Sequence, residues 1–157
     1  MNQKKLEAED LFKLAFENHK KNNLQDAENL YRDAIKQKHD HINSLFYLGG
    51  LLAQKRNFNE AKELFEKVIK INPKYPNVND NLGAVYRMLA NISSKNGNLL
   101  EAKKLFEKAL TINPNNQEMN HGYGVLLLKL NQHVKGLGYI RKGTGFIRFS
   151  SESYKII

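Results

Sequence analysis

Between Leu45 and Pro73 the apolar and small residues fall into two runs of helical spacing, separated by a short polar break. Leu45, Leu48, Gly49 and Leu52 recur at intervals of three, four and seven, which places them on one face of a helix. Arg56 and Asn57 interrupt that run, and Phe58, Ala61, Leu64, Phe65, Val68 and Ile69 begin a second one. Asn72-Pro73 ends it, because a residue before proline is driven out of the helical region and proline has no N–H for the helical ladder. Two helices joined by so short a turn lie antiparallel. Gly49 and Ala61 fall where the pair approaches most closely, and small residues there let the backbones come together.

The same frame recurs on both sides. Ala27, Tyr31 and Ala34 precede Ala61, Phe65 and Val68 by 34 residues, and Leu11, Leu14 and Ala15 precede Leu45, Leu48 and Gly49 by the same interval. Downstream, Ala102, Phe106 and Ala109, closed by Pro114, repeat the second helix 41 residues on, whereas Leu82-Gly83 with Tyr86 stand 34 residues on from Leu48-Gly49 with Leu52. This reading puts seven extra residues between Leu89 and Leu99, about two helical turns, so that the helices of the third pair project beyond their neighbours as a longer arm. The patterning predicts helices over about 5–21, 24–37, 42–55, 58–71, 77–95, 99–112 and 117–131. After His133 the pattern weakens, since Gly136 and Gly143 stand where the other pairs carry alanine, and glycine is a poor helix former. The alternation of Phe146, Ile147, Arg148 and Phe149 reads as a short extended segment, and Ser150 as the cap of a last helical turn. The tail is expected to fold over the open edge of the last pair, the alternative being that it leads to a further domain.

The 34-residue period with its Leu-Gly pair, spaced aromatics, two alanines and closing proline resembles the tetratricopeptide repeat family over about residues 7 to 116. Asn18, His39 in place of the closing proline, and a fourth unit that keeps only Tyr123-Gly124 and Leu127 depart from the family pattern. The resemblance implies an all-α fold, a right-handed α-solenoid of antiparallel helix pairs. Its units would be about 8–40, 42–75, 76–116 and a degenerate 117–148, with a capping tail at 149–157, in a single domain. It implies a non-enzymatic scaffold that binds a peptide or helix of a partner protein along the first helices, which line the concave side. First-helix positions that pair packing does not need are Phe12, Phe16 and His19 in the first unit and Phe46 and Gly50 in the second. In the third they are Asn77, Asp80, Asn81 and Arg87, and in the fourth His121 and Val125. Phe12, Phe16 and Phe46 are expected to anchor a partner side chain, and Asn77, Asp80 and Asn81 to hydrogen-bond its backbone. The alternative for Phe12 and Phe16 is that they pack on each other beneath the start of the chain. Family members that grip a carboxylate-ending chaperone tail use paired Lys and Asn, and Phe12, Phe16 and Tyr47 at those places point away from that subclass. Such repeats also front modular bacterial enzymes such as glycosyltransferases or oxygenases, so an accessory domain is the competing expectation.

Composition changes this picture little. With no cysteine among the 157 residues, disulfides and thiolate metal sites are unavailable. The only close histidine pair, His39 and His41, has no further clustered ligand, so neither metal nor other cofactor is expected. Phosphate-binding and nucleophile motifs are missing as well, which argues against an enzyme. The amino terminus carries no apolar leader and no apolar run reaches about 18 residues. A cytoplasmic bacterial protein without a membrane partner is expected. The formal charge of +9 is partly spent in i to i+4 pairs such as Glu63 with Lys67. From Gln117 on, Lys129, Lys135, Arg141, Lys142, Arg148 and Lys155 face only Glu118 and Glu152, which favours an acidic partner. Nucleic acid is disfavoured, because aromatic platforms are not interleaved with those charges.

Overall fold

The structure, a computed structural model, describes residues 6–145, 147–149 and 154–156. Two compact units make up the chain, Met1–Val78 and Asn79–Ile157. The first holds α1 (Ala8–Lys20), α2 (Leu24–Gln37), α3 (Ile42–Gln54) and α4 (Phe58–Ile71). The helix α5 (Val78–Lys95), apart from its first residue, belongs to the second, followed by α6 (Leu99–Ile112), α7 (Gln117–Lys129) and α8 (His133–Thr144). A hairpin of β1 (Ile147–Phe149) and β2 (Tyr154–Ile156) follows, antiparallel with Ile147 opposite Ile156. The extended segment expected near residue 147 is therefore present. The capping role given to Ser150 falls outside the described residues, and so do the tail's side chains.

Each helix pair turns by the same device. Asn22, Arg56, Gly97 and Asn131 all adopt positive φ, between 58° and 82°. The N–H of the next residue returns five positions to a helical carbonyl, Asn23 to Asn18, Asn57 to Leu52, Asn98 to Ser93 and Gln132 to Leu127, at 2.8–2.9 Å. This left-handed closure satisfies carbonyls at the end of the first helix and reverses the chain. Glycine and asparagine tolerate the conformation readily, whereas Arg56 holds it against its own Cβ.

The turn residues also fix the frame, and they correct the placement of the seven extra residues. From Arg56 to Gly97 the interval is 41, and the ends of α3 and α5, Gln54 and Lys95, differ by the same 41. The third pair is thus in register with the second from Gly83 onward, and the insertion lies before it, not between Leu89 and Leu99. It lengthens α5 at its amino end, to 18 residues against 13 for α3. The arm is a single helix, because α6 has the same 14 residues as α4.

Burial follows the repeated frame. Ala27, Ala61 and Ala102 are fully buried, as are Tyr31, Phe65 and Phe106 four residues on. Each such ring taken from water stabilises by up to about 3 kcal/mol. In unit 2, Ala90 and Ala102 form a cluster with Phe106, Tyr123, Leu126 and Leu127, against which Leu99 and Leu130 pack. The expected weakness of the last helix is corrected by what its glycines touch. A Cβ on Gly136 would meet the Gly124 carbonyl oxygen at 2.9 Å, and one on Gly143 would meet the Gln117 carbonyl oxygen at 2.6 Å. The glycines are where α8 lies against α7, and the packing they permit outweighs their low propensity.

Candidate partner-binding site

In unit 1 the first helices α1 and α3 carry half-buried aromatic residues, and two of the positions expected to be free of pair packing are not: Phe12 lies 6.1 Å from Tyr31 of α2 and Phe46 5.8 Å from Phe65 of α4. Phe16, Tyr47, Phe46 and Tyr75 form a continuous file, with ring centroids 5.0, 5.5 and 4.9 Å apart in succession. All four are half-buried. Phe12 stacks beside Phe16 at 6.1 Å and leans on Tyr47 at 5.7 Å. Phe12 and Phe16 thus stack on each other, and Tyr47 links both to Phe46. Edge-to-face and offset contacts of this kind suit the charge distribution of the rings. Beneath the file, Tyr31 and Phe65 are buried and support Tyr47 and Phe46 respectively.

Polar groups hold the ends of the file. The Tyr75 hydroxyl donates to Asn43 Oδ1 at 2.8 Å, and burial raises its phenol above the ordinary range. His19 Nδ1 lies 3.3 Å from the Tyr31 hydroxyl. Burial drives the Tyr31 phenol far upward, with Tyr47 adding to the effect, and burial lowers the His19 imidazole from 6.5. At neutral pH the phenol thus keeps its proton beside a neutral ring. Lys20 Nζ lies 5.0 Å from the centre of the Phe16 ring, a cation placed over its negative face. Gly50, four residues on from Phe46 in α3, is half-buried, and a Cβ built there meets nothing within 4 Å.

His41 is a residue whose role the sequence reading missed. It is buried and caps α3: Nδ1 accepts from the Ser44 N–H at 3.3 Å and lies 2.9 Å from Ser44 Oγ, while Nε2 reaches Glu9 Oε2 at 3.1 Å. Its ring packs on Phe12 at 5.6 Å. The signal was available in His41 standing directly before the apolar run, the place of a helix cap, with a serine three residues on. Among the described residues no group of three metal-ligating side chains occurs.

The remaining predicted residues are spread over other surroundings. Asn77 is exposed with φ 60° at the entry to α5. In unit 2, Asp80 Oδ1 accepts from Asn113 Nδ2 at 3.1 Å, and Arg87 pairs with Glu118 at 2.8 Å. Asn81 and Val125 are half-buried. The backbone of His121 backs onto Gly143 of α8, and its buried Nδ1 has no hydrogen-bond partner among the described residues. A cleft of about 320 Å³ opens where α6, α7 and α8 meet. Its wall includes Glu107, Asn120, Tyr123 and Tyr139, and the Tyr123 hydroxyl donates to Glu107 at 2.8 Å.

Comparison with known proteins accords with this architecture. The tetratricopeptide repeat profile matches residues 42–75 and 83–116, the second match beginning at the register point given by the turns. No curated protein matches the chain in sequence. Among solved structures, MamA AMB-1 aligns with a TM-score of 0.67 at 20% identity, covering 90% of this chain and 73% of its own. MamA MSR-1 gives 0.65 at 22%, covering 89% and 76%. PilF of Pseudomonas aeruginosa gives 0.58 at 24%, covering 89% and 62%. At these identities the likeness is one of fold. No described helix is long and apolar enough to cross a membrane. The second and third helix pairs are thus tetratricopeptide repeat units, within an all-α fold of the solenoid class.

Proposed function

We propose that the chain is a non-enzymatic protein-interaction scaffold whose first-helix face in unit 1 takes up a peptide or helix of a partner protein. The observation that carries this reading is the file Phe16, Tyr47, Phe46 and Tyr75, half-buried rings held in fixed mutual geometry by a buried layer beneath. Rigid aromatic rings lose little conformational entropy on binding, and such groups dominate the energy of most interfaces. Lys20 over Phe16 and Asn43 beside Tyr75 supply polar groups at the two ends. An acidic partner fits the net charge of +9. Phe12, His19 and Gly50 belong to the same face in this reading. Asn77, Asp80, Asn81, Arg87, His121 and Val125 extend the proposal to further first helices.

Gly50 offers a test that separates binding from folding. Its added Cβ meets open space, so Gly50→Gln obstructs the face without disturbing the rings, and replacing a mid-helix glycine raises helix propensity. Melting temperature is expected to hold or rise while capture of a partner from lysate of the source cell falls about tenfold. Undiminished capture by Gly50→Gln, with the partner identified by mass spectrometry, places binding elsewhere. Phe46→Ala is the companion variant, expected to lose both binding and some stability because its ring touches Phe65 at 5.8 Å between centroids.

A further inference from the structure

The second helices begin with the same frame positions in every pair, and two of these break the pattern. The second residue of α2, α4, α6 and α8 is Gln25, Asn59, Leu100 and Val134, and the third is Asp26, Glu60, Glu101 and Lys135. Unit 1 thus begins its second helices with a polar residue and an acid. Unit 2 puts large aliphatic side chains there, with Leu100 71% and Val134 88% exposed. Local stability explains neither. An aliphatic group that stays in water gains nothing from burial, and β-branched valine is a poor choice for an exposed helix. The first turn of α8 also lacks any acid, and Lys135 in it opposes the helix dipole, which favours negative charge at that end.

These residues share one edge of unit 2. Side chains in a helix lean toward its amino terminus, so Leu100 and Val134 point toward the turns at 96–98 and 130–132. Lys129 Nζ at the end of α7 lies 3.4 Å from Ser94 Oγ at the end of α5, which sets the two turns side by side. Lys95, Lys129 and Lys135 are exposed along this edge, against the single acid Glu101 in the first turn of α6. Leu99 and Leu130 anchor the turns in the cluster below.

We propose that this turn edge docks on an anionic bilayer surface, with Leu100 and Val134 entering the headgroup–acyl boundary and Lys95, Lys129 and Lys135 engaging acidic headgroups. Charge complementarity selects the surface, since exposed aliphatic groups bordered by lysines are what an anionic interface takes up. The high exposure of both side chains means that neighbours build no pocket around them. A fluid apolar phase accepts such protruding groups without requiring one. The expectation of no membrane partner rested on the lack of a long apolar run, and two aliphatic residues 34 positions apart leave no trace in such a run.

The test is cosedimentation of the full chain with vesicles of phosphatidylcholine alone or containing roughly one-third phosphatidylserine. Binding is expected only to the anionic vesicles, and to weaken as salt is raised. The double variant Leu100→Gln, Val134→Gln restores the polar character of unit 1 at both places and is expected to bind about tenfold more weakly, with unchanged helical circular dichroism. Lack of sedimentation with anionic vesicles at low salt overturns the proposal. Equal binding by wild type and double variant overturns it too, because attraction is then purely electrostatic. If soluble poly-glutamate displaces the chain completely from the vesicles and the double variant loses affinity for it, the edge belongs to an acidic protein and the bilayer assignment fails.

Discussion

The pairs α3–α4 and α7–α8 occupy equivalent places in the repeated frame and close by opposite means. In α3–α4 the room left by Gly49 is filled by a side chain: a Cβ there would meet the Phe65 ring at 2.9 Å. In α7–α8 the room left by Gly124, Gly136 and Gly143 is filled by backbone together with side-chain atoms of Ile140, Leu128 and His121. The equivalent of Phe65 is Ile140, and a Cβ on Gly124 would lie 2.7 Å from the Gly136 carbonyl oxygen and from the Ile140 nitrogen. When the second helix carries a smaller group at this position, the helices come nearer and glycine becomes obligatory on both sides. A family position that reads as small therefore has two meanings, space for a ring or space for a helix.

The largest expected effect follows from that distinction. Gly143→Ala sets a methyl group 2.6 Å from the Gln117 carbonyl oxygen and the His121 nitrogen, and neither can swing aside as a side chain does. The helices must separate, at a cost of about 3 kcal/mol or more. Gly138→Ala on the same helix meets nothing within 4 Å and is expected to stabilise by about 0.5–1 kcal/mol. Chemical denaturation of both variants checks the pair. Similar stabilities would mean that α8 is limited by propensity and not by close approach.

Gly49→Ala sharpens the comparison from the other side. Its obstacle is the edge of the Phe65 ring, which can turn, so the expected loss is about 1–2 kcal/mol. Adding Phe65→Leu removes the obstacle, and the double variant should therefore lose less than the two single losses combined. Additive losses would show that Gly49 is not kept small by Phe65.

How much of this was legible in the sequence depends on whether a feature lives in spacing or in packing. Seven of the eight helices among the described residues were largely accessible, because apolar period, prolines and the 34-residue frame are one-dimensional. The register of the third pair was misread because Leu82-Gly83 mimics Leu48-Gly49, while the turn residue Gly97, equivalent to Arg56, shares no side-chain chemistry with it. Backbone conformation carried that signal and side-chain identity concealed it. Gly136 and Gly143 were read by propensity alone, and the sequence does not say what will lie 2.6 Å away. In the candidate site, Phe12, Phe16 and Phe46 were visible as first-helix aromatics, although Phe12 and Phe46 also touch the second helix of their own pair. Tyr47, which joins them, and Tyr75, which ends the file, were not, because their place depends on how α1, α3 and the chain after α4 meet in space.

The smallest effect concerns protonation beneath the aromatic file, which the glycine-closed pair has no counterpart for in Tyr31. Burial lowers the His19 imidazole from its ordinary 6.5, so the fold favours the neutral ring, which lies 3.3 Å from the Tyr31 hydroxyl. Above 6.5 the ring is neutral in folded and unfolded chains alike, and its contribution is fully present. As pH falls below 6.5 the unfolded chain takes up its proton first, and stability declines until the folded ring is protonated as well. Glu28 behaves with the same sign but lower down, since Lys55 at 2.6 Å, with Arg32 assisting, depresses its carboxyl below 4.5 against the opposing effect of burial. The two windows are therefore separable. Stability against denaturant should weaken in the wild type as pH falls below 6.5, and His19→Gln should flatten that segment while leaving the decline below 4.5 in place. A profile unchanged by His19→Gln would mean that the imidazole is protonated as easily in the fold as outside it.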